Sequence, residues 1–264
     1  MNFSKIIIVG FVFSIFALSG CEDSGTEPNR NGYQLSDFGF TFDEKFGRYN
    51  QENLIGVITL DQYKYNSFST LNGAPEPNDE VNYYANASFK NEYNKHISVG
   101  AISINGAQLS ELGPGTYRAP DAFNFNFNGE KNLFSVEANT LIPALTGDVT
   151  FSEPVTITNL TRGQNISRSQ FLTVNWSGST SDVAEVIIRS KDIENDTRTE
   201  YSGIGGNFDN TGSAVLGLRP LLIKKGLADV TVRRFEPKFV TASNGKKVCI
   251  MGISQNIVTV NITD

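Results

Sequence analysis

Apolar and polar residues alternate with a period of two along much of the chain, which is the signature of half-buried strands. The clearest case is Phe123-Asn124-Phe125-Asn126-Phe127-Asn128, followed by Gly129. It puts three phenylalanines on one face of an extended segment and three asparagines on the other. Phe38, Phe40 and Phe42 alternate in the same way and predict a strand. Leu54 to Tyr65 and Val81 to Phe89 predict two more. Ile97 to Leu109 reads as strand, turn, strand about Asn105-Gly106, because that dipeptide tolerates the two left-handed positions of a tight hairpin. Leu133 to Ala138 is expected to pair back across Asn128-Gly129. Residues 72–80, with two prolines, a glycine and three acids, read as a surface loop.

The second half repeats the pattern more densely. Strands are predicted at Val155–Thr158, Phe171–Trp176, Ala184–Ser190, Thr199–Ile204, Ser213–Leu218, Ala228–Arg234, Lys247–Ser254 and Ile257–Thr263. Short strands separated by frequent turn signals over about 110 residues predict an immunoglobulin-like sandwich. The expected fold class is therefore all-β, with two tandem antiparallel β-sandwich domains over 33–152 and 153–264. Pro154 marks the division. Leu172-Thr173-Val174-Asn175-Trp176-Ser177-Gly178 resembles the strand of immunoglobulin-like and fibronectin-like bacterial domains that ends in Thr/Ser-x-Trp. Asp209–Leu216 and Gly226–Arg234 resemble later strands of the same domains. The cysteine pair of antibody domains is absent.

The one long apolar run is Ile6 to Leu18, preceded by Lys5 and closed by Leu18-Ser19-Gly20-Cys21. It is too short to span a bilayer and suits the apolar part of a signal peptide. The closing residues resemble a bacterial lipobox. That resemblance implies a signal peptide over 1–20, cleavage before Cys21, and lipid attached to the Cys21 thiol as membrane anchor. Residues 21–32 are polar and rich in helix and strand breakers, and read as a flexible tether. The expected location is the cell envelope, at the outer membrane, facing either the periplasm or the exterior. Ile97–Leu109 and the following Gly115-Thr116-Tyr117-Arg118 resemble the N-terminal part of two-domain lipoproteins of Bacteroidetes-type bacteria. That likeness implies no activity.

Charge and composition exclude several functions. The formal net charge is −6, which disfavours a nucleic-acid partner. With Cys21 lipidated, Cys249 alone remains, so no intramolecular disulfide forms, and Cys249 reads as a buried, inert thiol. His96 is the sole histidine and sits in a polar stretch, which disfavours both a catalytic triad and a zinc site. No Gly-x-Ser-x-Gly occurs, and Gly203-Ile204-Gly205-Gly206 lacks the dinucleotide spacing. No cofactor is expected. Asp192, Glu194 and Asp196 alternate like the start of a calcium loop, but Thr197 stands where such a loop requires glycine, so a charged hairpin loop is the simpler reading. The pairs Lys224-Lys225, Arg233-Arg234 and Lys246-Lys247 read as solvated strand ends.

Ligand-binding candidates are the Asn124, Asn126, Asn128 row and Tyr63 with Tyr65, joined by Tyr83 and Tyr84. The competing reading makes the asparagines the wet face of a sheet. Trp176 reads as core. The expectation is a non-enzymatic structural or interaction module anchored in the envelope, with an envelope protein or glycan as partner. The alternative is a glycan- or surface-ligand-binding lipoprotein.

Overall fold

A computed structural model describes residues 35–38, 53–69, 75–91, 93, 95–121, 123–140, 142–178, 183–190, 203–209, 211–218 and 223–264. The expected signal peptide and tether, Cys21 included, lie outside these residues, as do Phe40, Phe42 and the start of the strand expected at Thr199. Apart from a 3-10 turn at Leu35–Phe38, the regular structure among the described residues is all strand.

The N-terminal half supplies β1 (Leu54–Ser69), β2 (Glu76–Asn78), β3 (Val81–Phe89), β4 (Ile102–Ile104), β5 (Ala107–Gln108), β6 (Ser110–Gly113), β7 (Thr116–Arg118), β8 (Lys131–Val136) and β9 (Leu145–Thr150). The C-terminal half supplies β10 (Thr156–Ile157), β11 (Asn165–Ser167), β12 (Phe171–Ser177), β13 (Val183–Ser190), β14 (Gly203–Asp209), β15 (Ser213–Gly217), β16 (Gly226–Thr241) and β17 (Lys247–Thr263). The main sheet runs β14-β13-β16-β17-β1-β3-β7-β6, with β2 added to β1 and β11 added to β17. A four-stranded sheet, β5-β4-β8-β9, and a three-stranded sheet, β10-β12-β15, complete the set.

Each small sheet covers a different part of the main one. The first core lies between β1, β3 and β7 on one side and β4, β8 and β9 on the other, with Phe123, Phe125, Phe127 and Phe151 filling it. The second core lies between the β10-β12-β15 sheet and β13, β16 and β17, with Trp176 buried inside. Three strands facing the β14-β13-β16-β17 sector, with β11 running parallel to the end of β17, is an immunoglobulin-like sandwich. The two sandwiches follow one another along the chain, and they also share strands. Phe151 ends the first core and Val155 begins the second, but Ala242, Val248 and Ile250 return to the first. A third cluster, including Val57, Phe235, Cys249, Met251 and Ile253, lies on the other face of the shared strands. Leu35 of the 3-10 turn is buried in it.

The Asn105-Gly106 hairpin forms as expected, with φ of 48° and 81° at the two turn positions. Other expectations are corrected. Phe38 lies in the 3-10 turn, not in a strand. The Phe123–Phe127 stretch is extended but belongs to no ladder. Its alternation reports one buried face, which does not require a paired strand. Buried Asn132 stands in for the missing neighbour: its Oδ1 accepts from Asn126 N–H at 2.7 Å and its Nδ2 donates to Asn126 O at 2.8 Å. Accordingly β8 pairs with β4 and β9 rather than back across Asn128-Gly129. The loop expected at 72–80 contains β2, paired to β1. The two strands expected at 247–263 are one, β17, and it pairs with β1 in parallel, not antiparallel, from Leu54↔Lys247 to Asn66↔Val258.

Two glycines let phenylalanine rings lie on the sheet. A Cβ on Gly252 would stand 2.4 Å from the Phe151 ring, and one on Gly56 2.3 Å from the Phe89 ring. Gly252→Ala is therefore expected to lower stability by about 1–3 kcal/mol through overpacking. Gly113→Ala, where a Cβ meets nothing within 4 Å, should leave the urea midpoint nearly unchanged. Equal midpoints for the two variants would show that the ring does not rest on Gly252.

Candidate functional site

Strand register brings one set of side chains together on the face of the main sheet opposite the two large cores. Pairings Tyr63↔Asn82, Tyr63↔Gln255, Arg233↔Gln255 and Glu185↔Arg233 make one row across β3, β1, β17, β16 and β13. The next row toward the first sandwich is Tyr84, Asp61, Ile253, Phe235 and Val183. The next toward the second is Tyr65, Ile257, Thr231 and Ile187. Residues two apart on a strand share a face, so these rows stack into one surface.

The aromatic part is Tyr63, Tyr65 and Tyr84, all half-buried. Tyr63 meets Tyr84 edge-on with centroids 5.4 Å apart, and lies nearly parallel to Tyr65 at 6.3 Å. The polar part is tightly paired. Arg233 donates to Gln255 Oε1 through Nε at 2.9 Å and to Glu185 Oε2 through Nη1 at 3.1 Å. Its guanidinium also sits 5.9 Å from the Phe235 ring centroid. Asp61 is buried at the base of this surface. Burial pushes its carboxyl up to about 7, and a bond with Thr59 and the charge of Arg233 only partly oppose that. Burial, then the neighbouring Asp61 charge, also raises the Tyr63 phenol.

Tyr63 and Tyr65 are thus brought together. The asparagine row is not part of their surface. Tyr83, which points to the opposite face of β3 from Tyr84, packs its ring on Phe125 at 5.3 Å, so the phenylalanine row lies across the sheet from the tyrosines. Asn126 Nδ2 donates to Lys131 O at 3.5 Å, and Asn128 Oδ1 accepts from Glu130 N–H at 3.2 Å. Both shape the local turn. Asn124 is exposed. Sequence reading had Tyr84 among the candidates but missed Asp61, Arg233, Glu185 and Gln255 as its neighbours on one face. All five come from β1, β3, β16, β13 and β17, and only register unites them.

The pair Arg233-Arg234 is not solvated, contrary to expectation. Arg233 lies on the tyrosine face, and Arg234 is 1% exposed on the other. Between the two large cores that second face carries Gln62, Lys64, Arg234, Glu236, Ser254 and Asn256. Residues 152–155, leading from the first sandwich to the second, cross there outside the strands, and Arg234, Glu236, Ser254 and Asn256 bond their backbone and that of Ile157 at the start of β10, whereas Gln62 donates to Tyr83 Oη. Ser152 N–H donates to Glu236 Oε2 at 2.9 Å, Val155 N–H to Ser254 Oγ at 2.8 Å, and Ile157 N–H to Asn256 Oδ1 at 2.7 Å. Arg234 donates to Glu153 O at 2.8 Å and Ser152 O at 3.1 Å. Asn256 Nδ2 extends the belt to β1 by donating to Lys64 O at 3.0 Å.

Other candidates offer less chemistry. The calcium candidates Asp192, Glu194 and Asp196 lie outside the described residues. Among the described residues no group of three or more His, Cys, Asp or Glu side chains is placed to hold a metal. Asp79 of the acidic loop pairs with Arg162 at 2.8 Å. His96 is exposed, with Nδ1 3.3 Å from Ser88 Oγ, and burial and then the Lys90 charge lower its pKa. Cys249 is buried and its thiol is pushed well above the ordinary range by burial. It is unreactive as a thiolate nucleophile.

No family model matches the sequence, and no curated protein matches it. Among solved structures, the chain is similar to the Yersinia pseudotuberculosis adhesin InvE at 14% identity, over 77% of this chain and 58% of that one, with a TM-score of 0.22. The chain thus spans little more than half of InvE. It is also similar to Dpr11 IG1 bound to DIP-gamma IG+IG2, at 12% identity over 80% and 98% of the two chains, TM-score 0.21. The titin fragment A168169 matches at 9% identity over 80% and 100%, TM-score 0.21. At these scores the likenesses carry no argument about what this chain does.

Proposed function

We propose that this chain is a membrane-anchored envelope lipoprotein that acts as a non-enzymatic interaction module, held by lipid on Cys21 at the outer membrane. The observation that carries the reading is the tyrosine face itself. It is a patch of half-buried tyrosines beside the paired Arg233 and Glu185, flanked by the buried row Asp61, Ile253, Phe235 and Val183. Such a surface suits recognition, whereas turnover needs an acid, base or nucleophile aimed at a reacting atom. The lipobox-like Leu18-Ser19-Gly20-Cys21 supports the anchor.

Fractionation and protease shaving of intact cells test this reading. Cys21→Ala is expected to move the protein out of the membrane fraction and to change its size. If membrane association and size are unchanged, the anchor assignment fails. Loss of the folded body from shaved cells gives an exterior orientation, and protection behind an intact outer membrane gives a periplasmic one. Turnover across a hydrolase panel that is abolished by one substitution overturns the non-enzymatic part.

A further inference from the structure

We propose that the Tyr63–Tyr65–Tyr84 face binds a neutral oligosaccharide, with half-buried Arg233 and Glu185 bonding its hydroxyls. The inference rests on the interaction-module reading above and gives that module a ligand class.

Three features of the surface select this chemistry. First, β1 lies between β17 and β3, so the backbone under Tyr63 is already paired on both sides, while β3 at Tyr84 pairs with β1 and meets β7 only from Asn86 onward. A peptide adding as a strand has no edge to join at Tyr63, and a ligand there is read by side chains. Second, the charges cancel. Arg233 is held by Glu185 at 3.1 Å, and the chain as a whole carries a net −6. A phosphate, sulfate or polyuronate would have to compete with Glu185 for the guanidinium, and the field of the body opposes its approach. Third, flat aromatic area alternates with groups able both to donate and to accept. The Tyr63 ring lies 5.4 Å from that of Tyr84 and 6.3 Å from that of Tyr65, and half-buried Glu185, Arg233 and Asn82 stand in the row of Tyr63. A wholly apolar ligand would desolvate the paired Arg233 and Glu185 without bonding their remaining donors and acceptors. A sugar ring offers what matches: apolar C–H faces for the rings and hydroxyls that replace water on the carboxylate, guanidinium and amide. The tyrosines are half-buried and packed on one another, so little side-chain entropy is lost when a ligand settles on them.

The test uses the full chain, purified in a detergent without a sugar headgroup. The probes are maltohexaose, cellohexaose, mannohexaose and a galacturonate hexamer as the anionic comparison. Titration calorimetry is run beside tyrosine difference absorption on the unsubstituted protein. At least one neutral hexasaccharide is expected to bind with a submillimolar Kd and to perturb the tyrosine spectrum. Tyr65→Ala and Tyr84→Ala should each weaken that binding tenfold or more, while Asn124→Ala leaves it unchanged. Absence of heat and of a tyrosine signal with all three neutral sugars overturns the proposal. So does binding that survives both tyrosine substitutions, or binding confined to the galacturonate hexamer. The difference spectrum needs no variant, so a misfolded substitution does not obscure the result. A sugar that binds and is then cleaved, seen as new reducing ends, would sink the non-enzymatic reading while sustaining the site. A soluble Cys21→Ala protein that failed to bind would count against the site alone.

Discussion

Arg234→Ala is expected to destabilise the folded body by about 3–5 kcal/mol, the range for removing one member of a buried charged network. Arg234 is the largest fully buried side chain among the described residues. Its guanidinium holds the carbonyls of Ser152 and Glu153, and lies 3.7 Å from the carboxylate of Glu236, which in turn accepts from Ser152 N–H. Alanine would take the Arg234 donors from the Ser152 and Glu153 carbonyls and deprive buried Glu236 of one cation, although Lys238 still reaches it at 2.8 Å. Arg234→Lys keeps the charge but not the fork that serves two carbonyls, so an intermediate loss is expected. Because the belt ties the crossing segment to the strands both cores share, wild-type protein should unfold in one transition. Fluorescence of Trp176, the sole tryptophan, reports the second core, and far-UV dichroism reports both. Coincident denaturant curves check the coupling; a wild-type protein whose two curves separate would show that the belt does not join them. An Arg234→Ala midpoint close to wild type would remove the energetic argument.

Asp61→Asn is expected to stabilise the protein at pH 8 and to have little effect near pH 4. The sign follows from linkage. A buried carboxyl raised from 3.8 to about 7 holds its proton in the folded state through a window where the unfolded chain has released it. Across that window stability falls as pH rises, and above pH 7 the folded protein carries a buried carboxylate. At 1.36 kcal/mol per pH unit, a window of about three units corresponds to roughly 4 kcal/mol. Groups facing Asp61 are Thr59, Arg233, Tyr63 and Tyr84, with Glu185 beyond Arg233. The Tyr63 phenol is raised, chiefly by burial, so it does not titrate in the window. Urea midpoints of wild type and Asp61→Asn from pH 4 to 9 check the effect. The difference between them should grow with pH between about 4 and 7 and then level off. A constant difference would mean that Asp61 titrates near its ordinary value.

Fold class was legible because its cues are local. Strand boundaries at Val81–Phe89 and the Asn105-Gly106 turn follow from alternation and turn chemistry within a few residues. What local pattern cannot carry is register and partner choice. Phe123–Phe127 has the cleanest alternation in the chain yet joins no ladder, because burial of one face fixes the pattern and Asn132 supplies the backbone bonds. Arg233 and Arg234 are adjacent and identical, and they end on opposite faces of one sheet in different surroundings. The tyrosine face was half legible. Tyr63 and Tyr65 share a parity on β1, but Tyr84, Glu185, Arg233 and Gln255 join them only through four inter-strand registers.

The parallel pairing of β1 with β17 fixes an order of events during biogenesis. Asn256 Nδ2 bonds to Lys64 O across 192 positions of sequence, and Val248 and Ile250 complete the first core. A growing chain that has emerged only as far as its first sandwich therefore lacks a wall of that sandwich, and closing so long a loop is slow. Vectorial synthesis cannot lock the N-terminal half early. It stays open until β17 arrives. The same arrangement makes residues 247–263 the clasp of both halves, so a nonsense codon late in the gene would cost the first core as surely as the second.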